Sequence, residues 1–377
     1  MAYRRLPAAF MRGGTSKAIM FHAKDLPANR EEWDPIFLAA LGSPDPNGRQ
    51  INGMGGGISS LSKVCVIAPS GRGDADVDYT FAQVLIQDPK VDYSANCGNM
   101  SSAVGPFAVD EGIVQSRDGA TTVRIYNTNT RKIIHSTFDV SGGVAAMSGD
   151  LAIPGVAGTG AAIRLDFLQP GGAATGKLLP TGNVVDTLDV PGVGRIEVSM
   201  VDAANACVFV AAERLGLSGT EMPAELDRNA PLLEKLAAIR LHASVAMGVT
   251  RDLDEARTKA AVPFIGFVSP ARDAVTLSGG RLAATDADLT ARMLSSGQPH
   301  RALPLTASLC TAVAARIEGT VVNQVARRDA GEKLRLAMPS GVLAVGAEVT
   351  RAGTDWQAVR GSFYRTARRL FDGFVYF

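Results

Sequence analysis

Forty glycines among 377 residues constrain this chain more than any other feature. Glycine loses the most conformational freedom on folding and is kept where backbone turns tightly or lies close to another group. With Pro, Asn and Asp, the glycines punctuate short apolar runs at 18–21, 64–68, 79–86, 123–127, 133–140, 163–167, 186–190 and 195–200. Runs of that length between turn residues predict strands. Two stretches carry helical spacing instead: 29–41, closed by Gly42, and 231–247, closed by Gly248. The expected fold is α+β, and the length favours two domains over one core.

Composition narrows the function classes. A net charge of +1 offers no surface for nucleic acid and no polybasic face for a membrane. No apolar run approaches a bilayer span, and residues 1–7 lack the apolar core of a signal peptide. Cys65, Cys97, Cys207 and Cys310 are scattered, and the four histidines do not cluster. A reducing, cytoplasmic location and no structural zinc or other metal site are expected.

Three glycine-rich polar blocks carry the chemistry. Asn96-Cys97-Gly98-Asn99-Met100-Ser101-Ser102 delivers a thiol to the start of a helix, and Pro106 further on predicts a kink or a restart. Free N–H groups and the positive helix end can hold an anion there and make a thiol more acidic. A buried, inert cysteine is the competing reading. Met11-Arg12-Gly13-Gly14-Thr15-Ser16-Lys17 offers backbone N–H groups, two hydroxyls and two cations to a carboxylate or phosphate, without P-loop spacing. Its alternative is a strand-entry turn with a solvated lysine.

The third block, residues 53–63, sets Gly55, Gly56 and Gly57 ahead of Ser59, Ser60, Ser62 and Lys63. A flexible linker is one reading, but the run lies between ordered-looking segments. Lys63 directly precedes Val64-Cys65-Val66-Ile67, which puts its amine near a desolvated floor. An amine so placed titrates low enough to serve as a general base; a solvated strand-end lysine is the alternative. His242 reads as a surface or packing residue, and Arg360, Arg365, Arg368 and Arg369 as a solvated face.

The second half echoes the first. Segment 67–72 resembles 268–272, with Pro69 against Pro270. The stretch after Cys97 resembles 309–319, with Glu111-Gly112 against Glu318-Gly319, and 15–21 lies on 204–210. Two related β-rich domains are predicted, each with a central helix, facing across a cleft. Lys63 then falls opposite Phe264, and Cys97 opposite Pro304. The reactive groups come from the first domain, while the second supplies Asn205, His300, Thr306 and Ser308.

These blocks, with His300-Arg301-Ala302 and 303–319 in order over nearly the whole chain, resemble the PrpF family. The resemblance implies a diaminopimelate epimerase-like fold of two similar domains, about 1–185 and 186–377, each a β-barrel-like sheet around a central helix. It implies an active site in the cleft between them. The implied activity is a cofactor-independent isomerase or tautomerase that moves a proton on an unsaturated di- or tricarboxylate such as 2-methylaconitate or 4-oxalomesaconate. The outcome is an allylic 1,3-shift or a cis-trans isomerisation.

By position, the family's catalytic lysine falls on Lys63 and its active-site cysteine on Cys97. Substrate contacts fall on Thr15, Ser16, Lys17, Gly55, Gly56, Gly57, Asn96, Gly98, Asn99, Met100 and Ser101, with Asn205, His300, Thr306 and Ser308. Backbone N–H groups of 55–57 and 98–101 would act as an oxyanion hole. Ala18 stands where the family often has glycine. No cysteine lies opposite Cys97, although Cys310 lies nearby on the second helix, which disfavours two-thiol racemisation. The rivals are a non-catalytic, substrate-binding accessory of an aconitase-like enzyme and an amino-acid epimerase. Homodimer or homotetramer assembly and a link to an aconitase-like enzyme stay open.

Overall fold

The computed structural model describes residues 4–93, 97–259, 262–295, 297–331, 333–353 and 355–377. The chain forms two compact units, Met1–Asp166 with Tyr364–Phe377, and Phe167–Phe363. The break falls after Asp166 rather than near 185. The last residues rejoin the first unit because strand Ala367–Tyr376 pairs antiparallel with β1 (Arg5–Gly13).

In the first unit, β1 and β2 (Ser16–His22) form an antiparallel hairpin, and β3 (Lys63–Pro69) runs parallel to β2 with Ile19 opposite Val64. β4 (Val77–Val84) lies antiparallel to β3, β5 (Gly119–Asn127) parallel to β4, and β6 (Lys132–Ser141) antiparallel to β5. Helix α1 (Trp33–Leu41) packs on one face of this sheet. Its Ile36, Phe37 and Leu41 meet Ile19, Phe21, Val64, Val66, Ala82 and Val84. Nine residues are too few for a stable free helix. Burial of those three side chains, roughly 1.5–3 kcal/mol each, is what holds it.

The other face curves around α2 (Gly98–Asp110), which touches β1, β2, β3, β5, β6 and the C-terminal strand. With both faces covered, β3 is buried from Lys63 to Ile67 and reads as a continuous apolar run rather than an alternating one. α2 continues through Pro106 as one helix, so the expected restart does not occur. The proline removes one intrahelical N–H, and tight burial of this segment holds the helix across the gap.

The second unit repeats this plan. β7 (Gly194–Asp202) and β8 (Ala206–Ala211) form the hairpin, and β9 (Phe264–Ser269) runs parallel to β8 with Val208 opposite Ile265. β10 (Leu289–Ser295) is antiparallel to β9, β11 (Lys333–Met338) parallel to β10, and β12 (Gly341–Ala352) antiparallel to β11. α3 (Ala230–Ala246) covers one face, and α4 (Leu305–Arg316) packs against β7, β8 and β12.

The echo predicted from sequence matches residue by residue. Laying 19 on 208 and 64 on 265 equates the two parallel strand pairs in register. Cys97 and Pro304 are both N-caps of the central helices. Each unit also carries the same ion pair: Asp76 accepts from Arg124, and Asp288 from Arg335, through the arginine's backbone N–H and its guanidinium.

Candidate active site

Lys63 opens β3 on the face opposite the α1 core, with Cys65 and Ile67 beyond it and Gln83, Phe81 and Tyr79 opposite on β4. Its side chain is 7% exposed, so the amine is not the solvated strand-end group of the simpler reading. Nζ donates to Gln83 Oε1 at 2.5 Å and sits 5.0 Å from the Phe81 ring centroid. Among the described residues, no carboxylate forms a salt bridge with it.

Deeper on the same face, the Cys65 thiol donates to the Tyr79 hydroxyl at 3.8 Å. Burial pushes the Cys65 thiol up, and Cys97 adds to that, while the Tyr79 bond and Lys63 oppose it. Lys63, Cys65, Tyr79 and Cys97 therefore share one electrostatic neighbourhood.

Cys97 is half-buried, and its side chain does not cap α2. Its carbonyl accepts from the Ser101 N–H at 2.9 Å and the Ser101 hydroxyl at 3.1 Å. A helix's first N–H groups have no intrahelical acceptor. The groups of Gly98, Asn99 and Met100 thus open the helix directly after Cys97, at the positive end of its dipole. The Met100 side chain is core, so only its backbone belongs to the site. Asn96 lies outside the described residues.

The β1–β2 turn lies against this helix start. Gly14 has φ +52°, and a Cβ on Gly13 would come within 2.6 Å of the Asn99 carbonyl oxygen. Asn99 Nδ2 donates to Thr15 Oγ1 at 3.1 Å, and Asn99 Oδ1 accepts from Arg365 Nε at 3.3 Å. Thr15 is exposed and Ser16 buried. The pleat sends the Lys17 side chain to the opposite face from Ser16, where its ammonium lies 5.6 Å from the Phe10 ring centroid.

The loop 53–57 is ordered rather than a linker, and its organiser is Gln50. This residue is fully buried; its amide donates to Ser43 and Ser62 hydroxyls and accepts from the Gly57 N–H. The Gly55 N–H donates to the Leu41 carbonyl. Of the three N–H groups expected in an oxyanion hole here, those of Gly55 and Gly57 are already engaged, which leaves Gly56 for that role.

In the second unit, Thr306 and Ser308 lie in the first turn of α4, and the Ser308 hydroxyl donates to the Pro304 carbonyl. Asn205 sits in the β7–β8 turn, where its carbonyl accepts from Ala203. His300 Nε2 lies 2.7 Å from Ser295 Oγ, its ring stacks on Phe264, and burial lowers its pKa. Cys310 is fully buried in α4 with its thiol donating to the Val201 carbonyl, away from the helix start where a second catalytic thiol would stand. An open concavity of about 550 Å³ lined by Thr220, Glu221 and Met222 contains none of the candidate residues.

The Arg-rich tail is not a uniform solvated face. Arg365 is 7% exposed, and burial holds its guanidinium down to about 10. Arg360 pairs with Glu348, and Arg369 with Glu111 and Asp372. Gln50 and Gln83 escaped the sequence reading, and Arg365 is buried where that reading makes it solvated. Gln83 had a usable signal, since pairing 63–69 with 77–83 across a short loop places it opposite Lys63.

A family described as PrpF protein matches residues 3–377. The chain belongs to the PrpF family. Its architecture is the diaminopimelate epimerase-like α+β fold of that family, and the protein is an isomerase. This PrpF chain is 45% identical to the 3-methylitaconate isomerase of Eubacterium barkeri over 99% of its length and 97% of the relative's. It is 38% identical to the 2-methyl-aconitate isomerase of Shewanella oneidensis (strain MR-1), covering 98% of this chain and 96% of that one. A crystal structure of methylitaconate-delta-isomerase superposes with a TM-score of 0.91 at 44% identity, covering 100% of this chain and 96% of the other. No helix among the described residues of this PrpF chain is long and apolar enough to cross a membrane.

Proposed function

We propose that this protein moves a proton between carbons of an unsaturated di- or tricarboxylate of the methylitaconate or 2-methylaconitate type, with Lys63 as general base. The observation that carries this reading is the buried Lys63 amine, held by a neutral amide in the neighbourhood of Cys97. Lys63 removes a proton from the carbon next to the double bond. The electron pair spreads over the allylic system and its carboxylate, and a proton returns at the far carbon or at the same carbon after bond rotation. N–H groups of Gly56, Gly98, Asn99 and Met100 stabilise the developing charge, and Cys97 hands back the proton or bounds the pocket. A placed base of this kind contributes on the order of 10²–10⁴ in rate. The chemistry asks for no cofactor.

Proton NMR in D₂O with methylitaconate, 2-methylaconitate, 4-oxalomesaconate and aconitate tests this, each beside Lys63→Met. Deuterium should enter an allylic or vinylic position of at least one acid with the native protein alone. No exchange on any of the four, or equal exchange with Lys63→Met, overturns the reading.

A further inference from the structure

We propose that Gln83 is the positioning residue for the Lys63 amine, fixing where the base sits. The inference rests on Lys63 being the base. Gln83 faces Lys63 directly in the antiparallel β3–β4 register. Its amide has one workable orientation. Nε2 donates to the carbonyls of Ser59 at 3.0 Å and Ser62 at 2.8 Å, so Oε1 must point at Lys63 Nζ. A flipped amide would set its oxygen against two carbonyls and lose both of those bonds.

The same amide joins the amine to the glycine-rich loop. The Ser62 hydroxyl donates to the Val84 carbonyl and accepts from Gln50, whose own Oε1 holds the Gly57 N–H. Displacing the loop therefore displaces the acceptor that aims the lysine.

The neutrality of this acceptor matters as much as its place. Among the described residues, the titratable groups around Lys63 and Gln83 are Cys65 and Tyr79 on the sheet face, Asp92 opposite Gln83 on the strand that pairs with the far side of β4, and Cys97 at the start of α2. Burial keeps both Cys65 and Tyr79 protonated. A carboxylate at position 83 would favour the ammonium, whereas an aliphatic side chain would leave it with no acceptor. Glutamine holds the amine in place without adding a charge that would lock on its proton.

The test follows the Lys63 side chain directly, by NMR of lysine-labelled protein with the signal assigned through Lys63→Met, and follows the acidic limb of the kcat profile in parallel. Gln83→Glu should raise the Lys63 titration midpoint by roughly 1–3 pH units, and Gln83→Leu should lower it. Gln83→Leu should also cut kcat about 10–100-fold while KM stays within about threefold, the pattern of lost alignment rather than lost binding. Gln83→Asn, which keeps the amide one methylene short, should recover part of that loss and supplies a milder variant if Leu fails to fold. A Lys63 midpoint unchanged in both Gln83→Glu and Gln83→Leu overturns the inference whatever the activity. Midpoints that move while the rate profile does not would sustain the role of Gln83 and remove Lys63 as the base.

Discussion

Gly55 shows how this site is built from atoms that are not there. A Cβ at that position would come within 2.3 Å of the Gln50 carboxamide. That carboxamide cannot step aside without breaking its bonds to Ser43, Ser62 and Gly57. Gly55→Ala is expected to lower stability by about 1–3 kcal/mol, read as a lower denaturant midpoint, and to weaken turnover as the loop shifts. Gln50→Ala should do the same from the other side. An unchanged midpoint in Gly55→Ala would mean that the loop relaxes freely. Sequence alone exposed the glycines but not their reason, because Gln50 stands without a motif in an ordinary polar turn stretch, Asn47-Gly48-Arg49-Gln50. Its importance comes from a buried turn at φ +53° that only the folded chain displays. Lys63 and Cys97 were legible because each stands at a junction of polar turn and apolar run.

At the scale of the element, α2 joins two demands that the sequence presented as one. Its run of Gly, Ser and Ala reads as a helix start open to an anion. In the structure the same small residues let the sheet close around the helix. Gly105 is the tightest point, where an added Cβ would lie 2.7 Å from the Phe138 ring and the Ser136 hydroxyl. Gly105→Ala should therefore destabilise by roughly 1–3 kcal/mol despite alanine's better helix propensity, which is worth about 1 kcal/mol in the other direction. A rise in thermal midpoint would show that propensity wins and that the sheet yields. Periodicity could not foresee this, because a helix wrapped on nearly every side has no polar stripe to read.

Across the molecule, duplication accounts for the most legible features and for their chemical inequality. Offsets found by eye between 15–21 and 204–210 hold because both copies need the same strand register, while their surface and site residues diverged. The cysteines follow that divide. Cys65, Cys207 and Cys310 are buried, and burial pushes the thiols of Cys65 and Cys207 up; Cys97 alone is partly exposed. Ellman's reagent should therefore label one thiol in the native protein and none in Cys97→Ser, against four in guanidinium for the native sequence. Fast labelling of two or more native thiols would contradict this burial pattern.

The strand that completes the first unit has one further consequence, for biosynthesis. Arg5 pairs with Tyr376, 371 positions on, and the whole second unit lies between them in the chain. On the ribosome, β1 is made before the whole second unit and its partner strand after it. The half that carries Lys63 and Cys97 leaves the exit tunnel early, yet its sheet closes only after the other half has been made. Until then β1 presents an unpaired edge, the kind of surface that chaperones shield in nascent chains.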